Sequence, residues 1–317
     1  MALRLAPDDT KIPFMWLARF GLPFSVLTMV LSLVAFLVMG LNLGIDFKGG
    51  TLIEVQSTAP EADLGDLRAK LESLELGDVE VQGIGNPRDV LIRIATQPGG
   101  DAAQQEAVQR VQATLGAEEY TYRRVEVVGP RVSGELAWSG SLSLVFTVLG
   151  ILLYIWFRFE WQFGIAAVAT LAHDVLVTVG FFAVLQLDFN LTSIAAILTI
   201  LGYSLNDTVV VFDRVREILR RYKRLSMTDV FDLATNQTLA RTVMTSLTTL
   251  IALVALFIFG GPVLRSFTAA MIWGVFTGTY SSIFIGGPIL VYLGVRPSTV
   301  APPAEAGASA DVNAAET

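Results

Sequence analysis

The stretch Leu201-Gly202-Tyr203-Ser204-Leu205-Asn206-Asp207-Thr208-Val209-Val210-Val211-Phe212-Asp213-Arg214-Val215-Arg216-Glu217 decides how this chain is read. It prolongs the apolar run 191–200, so Asn206 and Asp207 fall inside a segment otherwise suited to lipid. An ionisable side chain at that depth is strongly disfavoured unless it is paired or faces water, and is by default a functional-site candidate.

Five further runs, at 20–43, 137–157, 163–187, 242–259 and 267–293, also have the length needed to cross a bilayer. Hydrophobic residues make up 53% of the 317, too many for an ordinary soluble domain. The first run follows a polar segment, 1–19, and outlasts the short apolar core of a signal peptide, so it reads as a retained helix. Pro23 falls in its first turn, where a missing N–H matters little.

Between the first two runs lies a polar segment, 44–136. It begins with Gly44-Ile45-Asp46-Phe47-Lys48-Gly49-Gly50-Thr51, whose charge and glycines are expected to end the first helix. Alternating patterns at 51–56, 79–82, 90–94 and 122–128 predict strands, and 3.6-residue periodicity at 63–74 and 102–115 predicts helices. The order β-α-β-β-α-β predicts a small ferredoxin-like domain. The predicted fold class is therefore a polytopic α-helical membrane protein with six transmembrane helices and a small α+β ferredoxin-like extracytoplasmic domain between helices one and two.

Lys and Arg fix the expected orientation. With the N-terminus cytoplasmic, Arg4, Lys11, Arg19, Arg158, Arg214, Arg216, Arg220, Arg221, Lys223, Arg224 and Arg296 fall inside, and the short outer loops carry only Arg265. Both termini are then cytoplasmic, and 44–136 lies outside. Residues 137–296 are expected to form a five-helix bundle, with a basic amphipathic cytoplasmic helix at 213–236 that fixes topology and touches anionic lipid or, alternatively, contacts a cytoplasmic partner. The Ala-, Pro- and Glu-rich tail 297–317 is expected to be disordered.

Composition also excludes chemistry. With no cysteine there is no disulfide, thiol catalysis or cysteine-held metal, and with one histidine, His173, no His-rich metal site. The 44–136 segment carries 9 basic and 16 acidic residues, the wrong sign for nucleic acid. No phosphate-cradling Gly-Lys-Ser/Thr loop is present. No cofactor, metal or enzymatic activity is expected.

Asp207 and Arg241 reach similar depth if the fifth helix includes Arg241, which makes an ion pair geometrically reasonable. Thr245 and Thr249 follow Arg241 at helical spacing, and in helix three Thr170, Asp174 and Thr178 share that spacing, with His173 beside Asp174. A carboxylate whose partner alternates between arginine and water meets the requirement for a proton carrier. The same residues are also compatible with a static buried Asp207–Arg241 pair and with a structural His173–Asp174 hydrogen bond. Asp213 and Glu217 beside Arg214 and Arg216 read as ordinary helix-surface ion pairs. Gly44, Gly49 and Gly50 read equally as turn formers, and Asp46 and Lys48 as interface anchors.

Four motifs together carry a family resemblance: Gly44 to Gly50, His173-Asp174-Val175, Gly202 through Asp213-Arg214, and Arg241-Thr242 with Thr245-Ser246. Over residues ~20–295 the chain resembles the SecF family, partner of SecD in the bacterial protein-export accessory complex and part of the resistance–nodulation–division superfamily. The resemblance implies a bacterial inner-membrane protein that pairs with SecD beside the SecYEG channel. It implies use of the proton motive force to help draw unfolded preprotein outward. It places Asp207 and Arg241 in the proton path, with Asn206, Thr245 and Ser246 in support and Asp174 and His173 as candidates. Gly44, Asp46, Gly49, Gly50 and Gly202 belong to its structural motifs. A small-molecule/proton antiporter of the same superfamily and a purely structural translocase subunit are the alternative readings.

Overall fold

The computed structural model describes residues 10–116 and 118–295. The first nine residues with Arg4, and Arg296 with the tail 297–317, lie outside the described residues.

Six helices have the length and composition to cross a membrane. The first, α1 (Phe14–Met39), ends at Gly40, whose φ of 69° stops the helix. This is four residues before the glycine motif expected to end it. The motif instead folds into a single helical turn, α2 (Ile45–Lys48), that leads into the first strand.

The outer domain runs β1 (Gly50–Ser57), α3 (Leu64–Glu72), β2 (Val79–Gly83), β3 (Asp89–Ile94), α4 (Asp101–Leu115) and β4 (Tyr120–Val128). The antiparallel sheet has the order β2-β3-β1-β4, the split βαβ arrangement expected from the element order. Alternation explains the layering. Ile53, Val55, Val90, Ile92 and Ile94 share one core with Leu67 and Leu71 of α3 and Val111 and Leu115 of α4. Leu52, Glu54, Leu91 and Arg93 alternate onto the opposite face, which lines a cavity of about 660 Å³ against the outer ends of the membrane helices. Asp63 caps α3 by accepting from the backbone N–H groups of Gly65 and Asp66. At Gly50, φ is 117° and an added Cβ would lie 2.4 Å from the Ile94 carbonyl oxygen, so the start of β1 admits only glycine.

The remaining spans are α5 (Pro130–Arg158), α6 (Trp161–Leu185), α7 (Leu191–Arg221), α8 (Met227–Phe259) and a sixth made of α9 (Pro262–Ser281), a π-helical turn (Ser282–Gly286) and α10 (Gly287–Tyr292). Asn190 and Ser193 close a reciprocal capping box at the start of α7, and Ser226 caps α8. No separate amphipathic helix occupies 213–236. Thirty-one residues of α7 extend ~46 Å, longer than the ~30 Å hydrocarbon core. Its basic end therefore emerges from the bilayer as the same helix, and after a turn at 222–226 α8 begins outside as well. The periodicity there was that of two helix ends.

Helices α6, α7 and the sixth span form the interior of the bundle, while α1, α5 and α8 are mostly exposed. Phe163, Phe212 and Phe231 fill the inner half of the core and Phe182 with Ile200 the outer half. At the inner ends Arg158 pairs with Asp213 at 2.5 Å and Arg216 with Glu160 at 3.0 Å, joining α5, α6 and α7. Arg214 pairs with Glu217, as the helix spacing implies.

Candidate functional site: two buried carboxylates in the bundle

Asp207 lies on the inward face of α7 and is 7% exposed. Its Oδ1 accepts a hydrogen bond from Thr242 Oγ1 of α8 at 2.8 Å, and its Oδ2 accepts from Ser282 Oγ of the sixth span at 2.8 Å. The expected ion pair with Arg241 is absent. Arg241 is exposed and pairs with no acid among the described residues. The depth was read correctly, since α8 does include Arg241, but the angle was not. Successive residues on a helix point ~100° apart, so a helix that aims Thr242 at Asp207 turns Arg241 outward.

The polar line that continues from Arg241 turns outward with it. Thr245 is exposed and donates to the carbonyls of Arg241 and Thr242, and Thr249 donates to that of Thr245. The line facing the bundle is Thr238, Thr242 and Ser246. Ser246 Oγ accepts from Tyr203 Oη at 3.2 Å and meets Thr279 Oγ1 at 2.8 Å. Asn206 and Gly202 occupy the exposed side of α7.

On α6, Thr170, Asp174 and Thr178 do face inward and are buried. Asp174 is fully buried: His173 Nδ1 is hydrogen-bonded to its Oδ1 at 2.9 Å, and Oδ2 accepts from Ser204 and, at 2.8 Å, from Ser281. His173 Nε2 is buried and has no hydrogen-bond partner among the described residues. Four elements thus meet around two carboxylates that are held by hydroxyls and one imidazole. Among the described residues no group of His, Asp and Glu is suited to a metal ion.

Ser204, Thr242, Ser281 and Ser282 were not singled out as site residues from sequence. Small hydroxyl residues are common in membrane helices, where they often bond their own helix. The available signal was the run Tyr280-Ser281-Ser282, which closes a polar stretch begun by Thr277 and Thr279 in a largely apolar span. It marks the start of the π-turn, a distortion found often at functional sites.

The linker carries a second set of contacts. Gly44 N–H donates to Phe189 O at 2.8 Å, Phe189 N–H to Asn42 O at 2.8 Å, and Leu191 N–H to Asp46 Oδ2 at 2.9 Å. Arg93 of β3 pairs with Asp188. The α6–α7 loop is therefore held both by the linker and by the outer domain. The Lys48 carbonyl oxygen accepts from Thr96 Oγ1 at 3.1 Å, and Gly49, with φ of 73°, turns the chain beside it.

A family model described as "Protein export membrane protein SecD/SecF, C-terminal" matches residues 107–296, and one described as "SecD/SecF GG Motif" matches 34–61. The protein translocase subunit SecF of Rhodobacter capsulatus is 49% identical over 310 residues, covering 92% of both chains. The protein translocase subunit SecDF of Brucella abortus is 43% identical over 93% of this chain but only 39% of its own length. Among solved structures, SecDF from Thermus thermophilus matches 92% of this chain at 34% identity with a TM-score of 0.80, and a SecDF in super-membrane-facing form matches 90% at 35% with a TM-score of 0.62. In each structure this chain corresponds to 39% of the SecDF polypeptide.

Proposed function

This chain belongs to the SecD/SecF family of protein-export membrane proteins, and we propose that it couples the proton gradient to late steps of preprotein export, as the SecF partner of SecD. As a translocase subunit it is a multi-pass protein of the inner membrane. The excess of Lys and Arg in the short segments on one side supports a cytoplasmic position for both termini in this reading. SecD, the SecYEG channel, unfolded preprotein and surrounding lipid are its partners in this reading.

One observation carries it: a carboxylate in a bilayer-length helix held by two hydroxyl groups and no cation. Such a group has different hydrogen-bonding needs with and without its proton. Hydroxyl donors favour the carboxylate, and the protonated acid turns donor itself. Moving one charge across 100 mV supplies ~2.3 kcal/mol, enough to bias two packings that differ by that order.

Arg241, Asn206 and Thr245 lie where α7 and α8 are open, the side on which the SecD half of the fused relatives sits in this reading. Arg241 then joins the proton path across the contact between the halves and Asp207 serves it from within. Asp174 and His173 extend the path on the other side. Output passes through α7, whose first residue is clamped to the outer-domain linker by Asp46. The two SecDF structures, at nearly equal identity, superpose on this chain to different degrees, which supports a family able to take more than one shape.

The test is gradient-dependent export in inverted membrane vesicles carrying the full complex. Asp207→Asn is expected to abolish the stimulation by the proton gradient while leaving the ATP-driven part. Full retention of that stimulation overturns the reading.

A further inference from the structure

Asp174 and Asp207 are contacted by consecutive residues of one helix. Ser281 Oγ donates to Asp174 Oδ2 at 2.8 Å, and Ser282 Oγ to Asp207 Oδ2 at 2.8 Å. Each hydroxyl also has a second acceptor three residues back on its own helix, Gly278 O at 3.2 Å for Ser281 and Thr279 O at 3.1 Å for Ser282. A seryl hydroxyl carries a single hydrogen, so in each case the carboxylate and the carbonyl compete for it. A charged acceptor wins that competition, because charge-assisted hydrogen bonds are the stronger. A protonated carboxyl loses the advantage.

The competition takes place where the sixth span departs from α-geometry. The π-turn begins at Ser282, and at its far end Gly287 is seated so closely that an added Cβ would lie 2.4 Å from the Phe231 ring of α8. A hydroxyl that leaves a carboxylate for its helix carbonyl changes the hydrogen bonding at the mouth of this turn. The adjacent hydroxyl shares the same backbone.

We propose that Ser281 and Ser282 are positioning residues that couple Asp174 to Asp207, so that proton gain at one carboxylate changes how readily the other is charged. The inference rests on the reading of Asp207 as the group that gains and loses the proton. It makes Asp174, with His173 behind it, the second member of a pair that titrates together. Buried beside them, His173 Nε2 has no hydrogen-bond partner among the described residues. The other titratable or charged groups on the elements packed here are Tyr203, Asp213, Arg214, Arg216, Glu217, Arg220 and Arg221 on α7, Asp229, Asp232 and Arg241 on α8, Arg265 and Tyr280 on α9, Tyr292 on α10, Arg19 on α1, and Arg131, Glu135, Tyr154 and Arg158 on α5. Of these, Tyr203 is bonded to Ser246, Tyr280 to Ser25 and Gly21, and Asp213 to Arg158. None contacts either carboxylate.

The experiment is infrared difference titration of the full chain with its SecD partner in lipid vesicles. The carboxyl band of Asp207 is assigned by its loss in Asp207→Asn. Ser281→Ala removes a contact to Asp174 alone, and Asp174→Asn removes the second carboxylate without touching Asp207. Both are expected to move the Asp207 midpoint by about one pH unit, the scale on which two sites titrate as a pair. Ser281→Thr, which keeps the hydroxyl, is expected to restore it. An Asp207 midpoint that is the same in Ser281→Ala and in Asp174→Asn as in the unaltered protein overturns the coupling. So does a midpoint that moves only in Ser282→Ala, where the direct contact is lost. Should Ser281→Ala fail to fold, Asp174→Asn decides the matter alone. Export that survives Asp207→Asn would remove the proposed function and leave this coupling standing, whereas an unmoved midpoint would remove the coupling and leave the function.

Discussion

Asp46 Oδ2 accepts the backbone N–H of Leu191, the first residue of α7, at 2.9 Å across 145 positions of sequence. A carboxylate at a helix N-terminus satisfies an orphan donor and meets the positive end of the helix dipole. Asp46→Ala is therefore expected to destabilise the protein by ~1 kcal/mol. Asp46→Asn, which keeps an acceptor, should lose less. Thermal unfolding in detergent checks the order, and equal losses for the two variants would remove the charge from the explanation.

Gly50→Ala tests the start of the first strand. The methyl group would meet the Ile94 carbonyl in a backbone conformation that L-residues avoid, so a loss of ~2 kcal/mol or more is expected. Hydrogen exchange should speed up in β1 and β3 and leave the membrane helices unchanged.

The pair Arg93–Asp188 ties the sheet to the α6–α7 loop. Arg93 is only 12% exposed at its side chain and Asp188 31%, so water screens the pair incompletely. A double-mutant cycle with Arg93→Ala and Asp188→Ala should give a coupling of ~0.5–3 kcal/mol. Each single variant should broaden the distance distribution between spin labels on the outer domain and on α6. A distribution that stays as narrow as before would mean that the linker alone holds the domain.

Arg241 and Thr242 are neighbours with opposite expectations. Thr242→Val leaves a buried carboxylate short of a donor and should cost ~1–3 kcal/mol. Arg241→Ala, at an exposed position, should change the stability of the isolated chain by less than ~0.5 kcal/mol. In the assembled complex Arg241→Ala should nevertheless impair gradient-dependent export. A large loss of stability in the isolated chain would restore the direct pairing with Asp207 that the structure lacks.

The outer domain was legible because every strand buries one face, so Ile53, Val55, Val90, Ile92 and Ile94 announce themselves by alternation. The spans were legible because length and apolarity suffice to specify them. The partners of Asp207 were not. Depth along a helix can be counted from sequence, but which side of α8 faces α7 depends on rotation, and one residue of error exchanges Arg241 for Thr242. Ser281 and Ser282 stayed hidden for another reason. Their role comes from a π-turn that shifts the register of the helix face, and no residue count foresees it.

Because α7 runs without a break from its clamped outer end at Leu191 to Arg221, it behaves as a stiff beam with Asp207 near its fulcrum. Tilting such a beam by a few degrees displaces its two tips in opposite directions. A small rearrangement beside the carboxylate would then be felt at once by the sheet above the bilayer and by the arginines below it.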